Sequence, residues 1–255
     1  MLSAECYDVF MVGIIAGTAG AAAAATAGVC GYAAFAPQSQ LFGETVSHGA
    51  DPEQIALTYD DGPNDPHTLK LLEVLERHGV KATFFLIGKF VREKPEIARE
   101  VAKAGHEIGN HTDTHPNLFW TGRTKLFREL GGCERALNEA IGSHATLFRP
   151  PYGIRRPAVL RFARSQNLTP VMWSVTCFDW KATTADRVEQ HAIRQIAKQK
   201  DRGKIVLLHD GGHEGMGADR SHTVEATDRL LRRYKDEGYA FVTVQQMVAA
   251  QTQSA

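Results

Sequence analysis

From Ile55 onward, short apolar runs alternate with longer stretches in which apolar residues recur at i, i+3 and i+4. The short runs predict buried strands and the long periodic stretches predict helices. Strands are expected at 55–59, 82–87, 106–109, 146–149, 171–175, 205–209 and 239–243. Helices are expected at 68–78, 95–104, 126–141, 188–199 and 223–234. The first three helices run up to Gly79, Gly105 and Gly142, a common way to stop a helix. Ile205-Val206-Leu207-Leu208 is apolar at every position, as a strand covered on both faces requires. About seven strand–helix units predict an α/β fold with a parallel sheet, either a barrel short of eight strands or a doubly wound sheet. No internal repeat is evident.

The pattern is different before Ile55. Residues 9–36 are apolar but rich in Ala, Gly and Thr, and no charged residue occurs from Val9 to Phe42. At ~1.5 Å per helical residue, this stretch is longer than the ~30 Å hydrocarbon core of a bilayer. Residues 1–36 are therefore read as a signal peptide or membrane anchor outside the domain, 37–54 as a linker, and 55–250 as the functional domain. This makes the protein exported or membrane-anchored. Ala34-Phe35-Ala36 imitates a signal cleavage site, although Pro37 is a poor residue to follow one. Glu5 and Asp8 stand where a basic flank belongs, so an Ala/Gly-rich tail on a cytosolic protein is the alternative. No Lys or Arg precedes Lys70, so charge cannot orient the segment.

Composition narrows the classes. The chain has 255 residues, 43% hydrophobic and 23% charged, which is ordinary for a globular protein. Lys plus Arg equals Asp plus Glu at 29 each, which argues against a general nucleic-acid binder. Four cysteines without a C-x-x-C pair argue against a thiolate zinc finger or a disulfide scaffold. Cys133 and Cys177 are expected as buried thiols.

Chemistry-bearing residues cluster at the predicted strand ends. Asp60 and Asp61 end the first strand, His111 and His115 follow the third, and Arg149 ends the fourth. Asp179 follows the fifth, and His209 ends the sixth. In parallel α/β architectures these ends form one face, so the groups should converge. His111 and His115 stand at i and i+4, which on a helical turn makes a zinc-binding pair; two solvated surface histidines are the bland alternative. A carboxylate from Asp60 or Asp61 would complete a site with an open position for water. Adjacent residues in an extended chain point to opposite sides, so a turn at Gly62-Pro63 is expected to bring both carboxylates together. The stiff loop Arg149-Pro150-Pro151-Tyr152-Gly153 suits an arginine and a backbone N–H held in fixed directions. Phe119 and Trp120 either stack on a sugar or pack under a loop. His213, Glu214 and His222 read as a solvated loop at the rim of the cleft.

Five stretches, in order, resemble the polysaccharide deacetylase family, also called NodB-homology domains or carbohydrate esterase family four. They are Thr58-Tyr59-Asp60-Asp61-Gly62-Pro63, His111-Thr112-Asp113-Thr114-His115, Arg149-Pro150-Pro151-Tyr152-Gly153, Asp179-Trp180 and Leu207-Leu208-His209-Asp210. The resemblance spans about 55–248. It implies a distorted (β/α) barrel that removes N-acetyl groups from amino sugars of peptidoglycan or a chitin-like polymer. It also implies one divalent metal held by Asp61, His111 and His115; zinc is expected, with cobalt, nickel or iron as alternatives. It further implies Asp60 as base, Arg149 as its partner and His209 as acid held by Asp179. The Tyr152 N–H would be an oxyanion donor, and Trp180 and Leu207 walls for the acetyl methyl. Thr176 stands where many relatives carry an aspartate, which leaves the tuning of His209 open. A non-sugar C–N hydrolase, a non-catalytic glycan-binding relative and an HD-type phosphohydrolase are the competing readings. No nucleic-acid partner is expected.

Overall fold

The computed structural model of the chain describes Thr26 and residues 28–253. Among the described residues there are nine strands: β1 (His48–Gly49), β2 (Gln54–Gly62), β3 (Thr83–Leu86), β4 (Glu107–Asn110), β5 (Leu147–Phe148), β6 (Thr169–Pro170), β7 (Val175–Thr176), β8 (Gly203–His209) and β9 (Ala240–Phe241). Eight helices connect or follow them: α1 (His67–Arg77), α2 (Gly88–Glu93), α3 (Pro95–Lys103), α4 (Arg123–Ile141), α5 (Pro157–Ser165), α6 (Ala185–Ile196), α7 (Ser221–Asp236) and α8 (Val244–Gln253). Residues 28–35 are also helical.

The strands form one curled sheet in the order β1-β8-β2-β3-β4-β5-β6, with β7 added to β8 and β9 to β2. Among the described strands, only the β1–β8 pair is antiparallel. The barrel stays open because β6 and β7, consecutive in the chain, do not pair. The expected strand at 171–175 is interrupted: Val171 makes a lone parallel bridge with Val46, and Val175 begins β7. Its apolar side chains serve packing instead: Val171, Met172 and Trp173 fill the inner cluster, and the Met172 carbonyl accepts a hydrogen bond from Arg149.

Alternation along β2 divides the core. Ile55, Leu57 and Tyr59 face the outer cluster with Leu71 and Leu75 of α1 and Leu230 and Leu231 of α7. Ala56 faces the inner cluster with Phe85, Ile205 and Leu207. Val244 and Met247 of α8 close that inner layer, which packs the barrel instead of leaving a pore. The predicted helix stop at Gly142 is realised: φ is 69°, and its N–H returns to the Asn138 carbonyl. Cys133 and Cys177 are buried free thiols, as expected.

The sequence pattern misses β1, which lies in the stretch read as linker, and the helices α2, α5 and α8. It also misses contacts of the N-terminal segment. Ala33, Ala34 and Ser39 are buried, although this stretch was expected outside the domain. Most of the segment, 1–25 and Ala27, lies outside the described residues. Among the described residues, no helix is long and apolar enough to cross a membrane.

Candidate active site

Strand register brings the first pair of groups together. Asp60 on β2 is the direct partner of His209 on β8 and of Phe85 on β3. All three lie at the C-terminal ends of parallel strands, as the fold argument anticipates. Thr58 and Asp60 point inward to Arg149. Tyr59 points outward, and its hydroxyl is paired with Thr227 of α7.

Asp61 breaks this alternation. Its φ is 72°, and the β2–β3 register shifts between Asp60 and Gly62. The bulge turns Asp61 to the same mouth as Asp60. The reversal expected at Gly62-Pro63 thus begins one residue earlier.

His111 and His115 also reach the site without a helical turn. The segment is a bend, with Thr112 at φ 68° and His115 at φ 57°. Local hydrogen bonds hold it: Thr112 N–H donates to Asn110 Oδ1, and His115 N–H to the Thr112 hydroxyl. Glu129 of α4 accepts from both the N–H and the hydroxyl of Thr114. Asp113 takes a two-pronged ion pair from Arg92, at 2.7 and 3.1 Å.

The imidazoles converge on Asp61. His111 Nε2 lies 3.5 Å and His115 Nε2 3.2 Å from Asp61 Oδ1. His213 is a third, unanticipated neighbour. Its ring stacks on His115 at 4.6 Å between centroids, and its Nδ1 is 3.9 Å from Asp61 Oδ2. Asp61, His115 and His213 each offer a ligand atom within 4.8 Å of the others'.

This donor set fits a divalent cation. Asp61 Oδ1 is buried and without a hydrogen-bond partner. Burial, then the neighbouring His111, pushes His115 down to about 3, so its ring is neutral. His111 Nδ1 faces the Arg149 carbonyl at 2.8 Å and must donate there, which leaves Nε2 as the lone pair turned inward. Lone pairs of two imidazoles and one carboxylate facing one another repel unless a cation lies among them. Carboxylate and imidazole suit zinc but also cobalt, nickel or iron.

Arg149 is fully buried. Its guanidinium lies over the Phe85 ring at 4.1 Å, with Trp173 at 5.6 Å. It donates to Asp60 Oδ1 at 2.7 Å, Thr58 Oγ1 at 2.8 Å and the Met172 carbonyl at 3.1 Å. Gly109 makes room for this stack, since a Cβ there would stand 2.5 Å from the Phe85 ring. Removing one partner of a buried ion pair leaves the other uncompensated. Arg149→Met is therefore expected to cost about 3–5 kcal/mol of stability in urea titration. A loss under about 1 kcal/mol would mean that Asp60 is not held by this pair.

On the other side, His209 Nδ1 is 2.8 Å from Asp179 Oδ1. Asp179 Oδ2 accepts from the His209 N–H and the Thr223 hydroxyl. Burial opposes charge on His209, but Asp179, reinforced by Asp61 and Asp60, holds it up at about 9. Thr176 does not enter this network; its hydroxyl accepts from Trp173 Nε1 at 2.9 Å. His222, read as part of a loop, is in α7 and pairs through Nε2 with the Asp179 carbonyl.

The turn at 151–153 carries Tyr152 at φ 58°. Its two closing hydrogen bonds, Gly153 N–H to Pro150 and Ile154 N–H to Pro151, do not use the Tyr152 N–H. A cavity of about 980 Å³ is lined by Asp60, Asp61, His111, His115, Tyr152, Trp180, Leu207 and His209, with Trp173 and the 212–218 loop. The predicted residues other than Arg149 and Asp179 thus border one space, and those two support it from behind. Trp180 stands edge-on to His209 at 5.1 Å. Phe119 and Trp120 are not among the residues lining the cavity, and Trp120 is highly exposed.

The Polysaccharide deacetylase family profile matches residues 48–171. A peptidoglycan-N-acetylglucosamine deacetylase of Bacillus cereus is 36% identical over 196 residues, 76% of this chain and 68% of the relative. A chitooligosaccharide deacetylase of Sinorhizobium fredii is 36% identical, over 75% of this chain and 90% of that protein. Among solved structures, the peptidoglycan N-acetylglucosamine deacetylase Bc1960, in complex with a hydroxamate, aligns with a TM-score of 0.72 at 34% identity. It covers 80% of this chain and 91% of that one. A CE4 family pseudoenzyme from Bacillus anthracis also aligns at TM-score 0.72 and 29% identity, over 80% of this chain and 68% of that one. Fold alone therefore does not separate active from inactive relatives, and the side chains at the strand ends must carry that argument. On sequence, fold and identity over three-quarters of its length, this chain belongs to the polysaccharide deacetylase family.

Proposed function

We propose that the protein is a metal-dependent deacetylase that hydrolyses N-acetyl groups on amino-sugar residues of an extracytoplasmic glycan, peptidoglycan or a chitin-like polymer. The observation that carries this reading is the convergence of Asp60, Asp61, His111, His115 and His209 on one cavity. A non-catalytic relative would be expected to lack one of these groups.

Asp61, His111 and His115 would hold the cation, with His213 beside them. Bound there, a divalent cation, zinc in the first instance, polarises an acetamide carbonyl and acidifies water. Asp60 accepts the proton of the attacking water; Arg149 fixes the orientation of its carboxylate. The Tyr152 N–H donates to the oxygen on which negative charge develops. As the C–N bond breaks, an amide nitrogen cannot leave as an anion, so His209 gives it a proton. The products are acetate and a free amine on the sugar. Trp180 and Leu207 wall the space for the methyl group. The deacetylases named above are named for peptidoglycan and chitooligosaccharide, which supports the glycan assignment.

Acetate release from N-acetylated chito-oligosaccharide and from peptidoglycan, with and without chelator, tests the reading. Release from at least one, abolished by chelator and restored by zinc or cobalt, is expected; no release from either would overturn it. Metal content measured by mass spectrometry should fall at least about 10-fold in Asp61→Asn and His115→Ala. A smaller fall is expected in His213→Ala, whose ring is half-exposed. Full occupancy in His115→Ala would remove it from the ligand set.

A further inference from the structure

Arg155 is a fully buried guanidinium that the chemistry above does not use. Among the described residues it has no carboxylate within ion-pair distance. Its acceptors are four carbonyl oxygens. Nη1 donates to Gly153 at 3.1 Å and Ala34 at 3.4 Å; Nη2 donates to Ala36 at 2.7 Å and Ser39 at 2.9 Å. The Arg155 backbone N–H also points to the Ala34 carbonyl at 3.4 Å. Three of the four acceptors thus come from the end of the N-terminal helical segment and the turn after it.

The last carbonyls of a helix have no partner within it and carry the negative end of its dipole. Arg155 meets that need from more than a hundred positions along the chain. In return, the carbonyls solvate a charge that would otherwise be costly to bury. Ala36 N–H bonded to the Tyr32 carbonyl and Ser39 N–H bonded to the Ala36 carbonyl shape the turn that aims these oxygens inward. Ala33, Ala34 and Ser39 are buried beneath it. The fourth acceptor belongs to Gly153, so the guanidinium joins this segment to the turn that carries Tyr152.

We propose that residues 33–39 are a permanent strap of the folded domain, clamped by Arg155, and that the mature protein keeps the chain upstream of Ala34. The imitation cleavage site Ala34-Phe35-Ala36 lies inside the strap. A cut after Ala36 would detach the Ala34 and Ala36 carbonyls, two of the four acceptors, and the buried Ala33 and Ala34 side chains. Of the two export readings, a removable signal and an uncleaved anchor, this favours the anchor. The charge-free run from Val9 then stays joined to the catalytic domain. This inference stands on geometry alone and is independent of the reaction.

Hydrogen–deuterium exchange on the full chain is the first test. The Ala36 and Ser39 amides should exchange at least about 100-fold more slowly than an unstructured peptide; exchange at the unstructured rate overturns the strap. Arg155→Met in the full chain should lower Tm by roughly 5–10 °C and open residues 28–45 to limited proteolysis. Unchanged cleavage there would remove Arg155 as the clamp. Should Arg155→Met not fold, Arg155→Lys, which keeps the charge but cannot reach four acceptors at once, is expected to give the same cleavage with a smaller Tm loss. Finally, protein exported by a bacterial host, recovered from its membrane fraction and open to added protease in intact spheroplasts, should yield an N-terminal peptide upstream of Ala34. A stable chain beginning at Pro37 or later would overturn retention.

Discussion

Asp60→Asn is expected to lower the rate of acetate release by roughly 10³-fold while metal content stays at the wild-type level. The substitution keeps size and shape. The asparagine carbonyl can still accept the Arg149 hydrogen bond that Asp60 Oδ1 takes at 2.7 Å. What it removes is basicity: an amide cannot take a proton from water at neutral pH. The other oxygen, Oδ2, is the one turned toward the cavity, 3.8 Å from His111 Nε2. Because Asp60 sits in register with His209 across β2 and β8, the proposed base and acid flank the same space. Acetate release and metal content measured on the same preparation separate a lost base from a lost ligand. Near wild-type turnover in Asp60→Asn would refute its role as base.

The second large effect is on pH dependence. His209, held up at about 9, stays an imidazolium through neutral pH, as its proposed role of proton donor requires. Activity that depends on it should fall as pH rises through about 9. Asp179→Asn removes the largest of the charges that oppose burial, leaving only Asp61 and Asp60, so the alkaline limb moves down from about 9. At pH 8 the loss in kcat is expected to be roughly 10²-fold, and acidifying the assay should recover part of it. A bound cation would pull the limb down in both proteins without reversing the direction of the difference. Stability carries the same sign. A folded-state pKa above the unfolded value adds stability that is complete below about pH 6.5 and is lost as pH rises through about 9. The variant should show less of that loss in a series of Tm against pH. An alkaline limb that does not move would separate Asp179 from the acid.

Much of this site could be read in the sequence, because its residues sit where strands end. Runs such as Ile205-Val206-Leu207-Leu208 predicted β8, and the following His209 marked its mouth. Backbone conformation was less legible. Nothing in the i, i+4 spacing of His111 and His115 reveals that two left-handed residues, rather than a helical turn, bring the rings together. The bulge at Asp61 is equally silent, since alternation alone would send it away from Asp60. The run 171–175 misled for a related reason. Apolar side chains are needed there to pack beneath Arg149, and hydrophobicity does not distinguish that duty from strand pairing. A histidine among glycines reads as a solvated loop at the rim, and an arginine after a turn is an ordinary surface pattern; only tertiary contacts place His213 beside Asp61 and Arg155 in the interior.

Asp61, Thr112, His115, Tyr152 and Phe178 all adopt positive φ, and none is glycine. All five lie in or beside the segments that form the active site. Each such conformation costs of order 1 kcal/mol. Together they take up a sizeable part of the roughly 5–15 kcal/mol that keeps a domain folded. Glycine would relieve that strain but would lose more conformational entropy on folding and would delete contacts such as the Thr112 hydroxyl's bond from the His115 N–H. The strain is thus concentrated where the chain must aim side chains into the pocket.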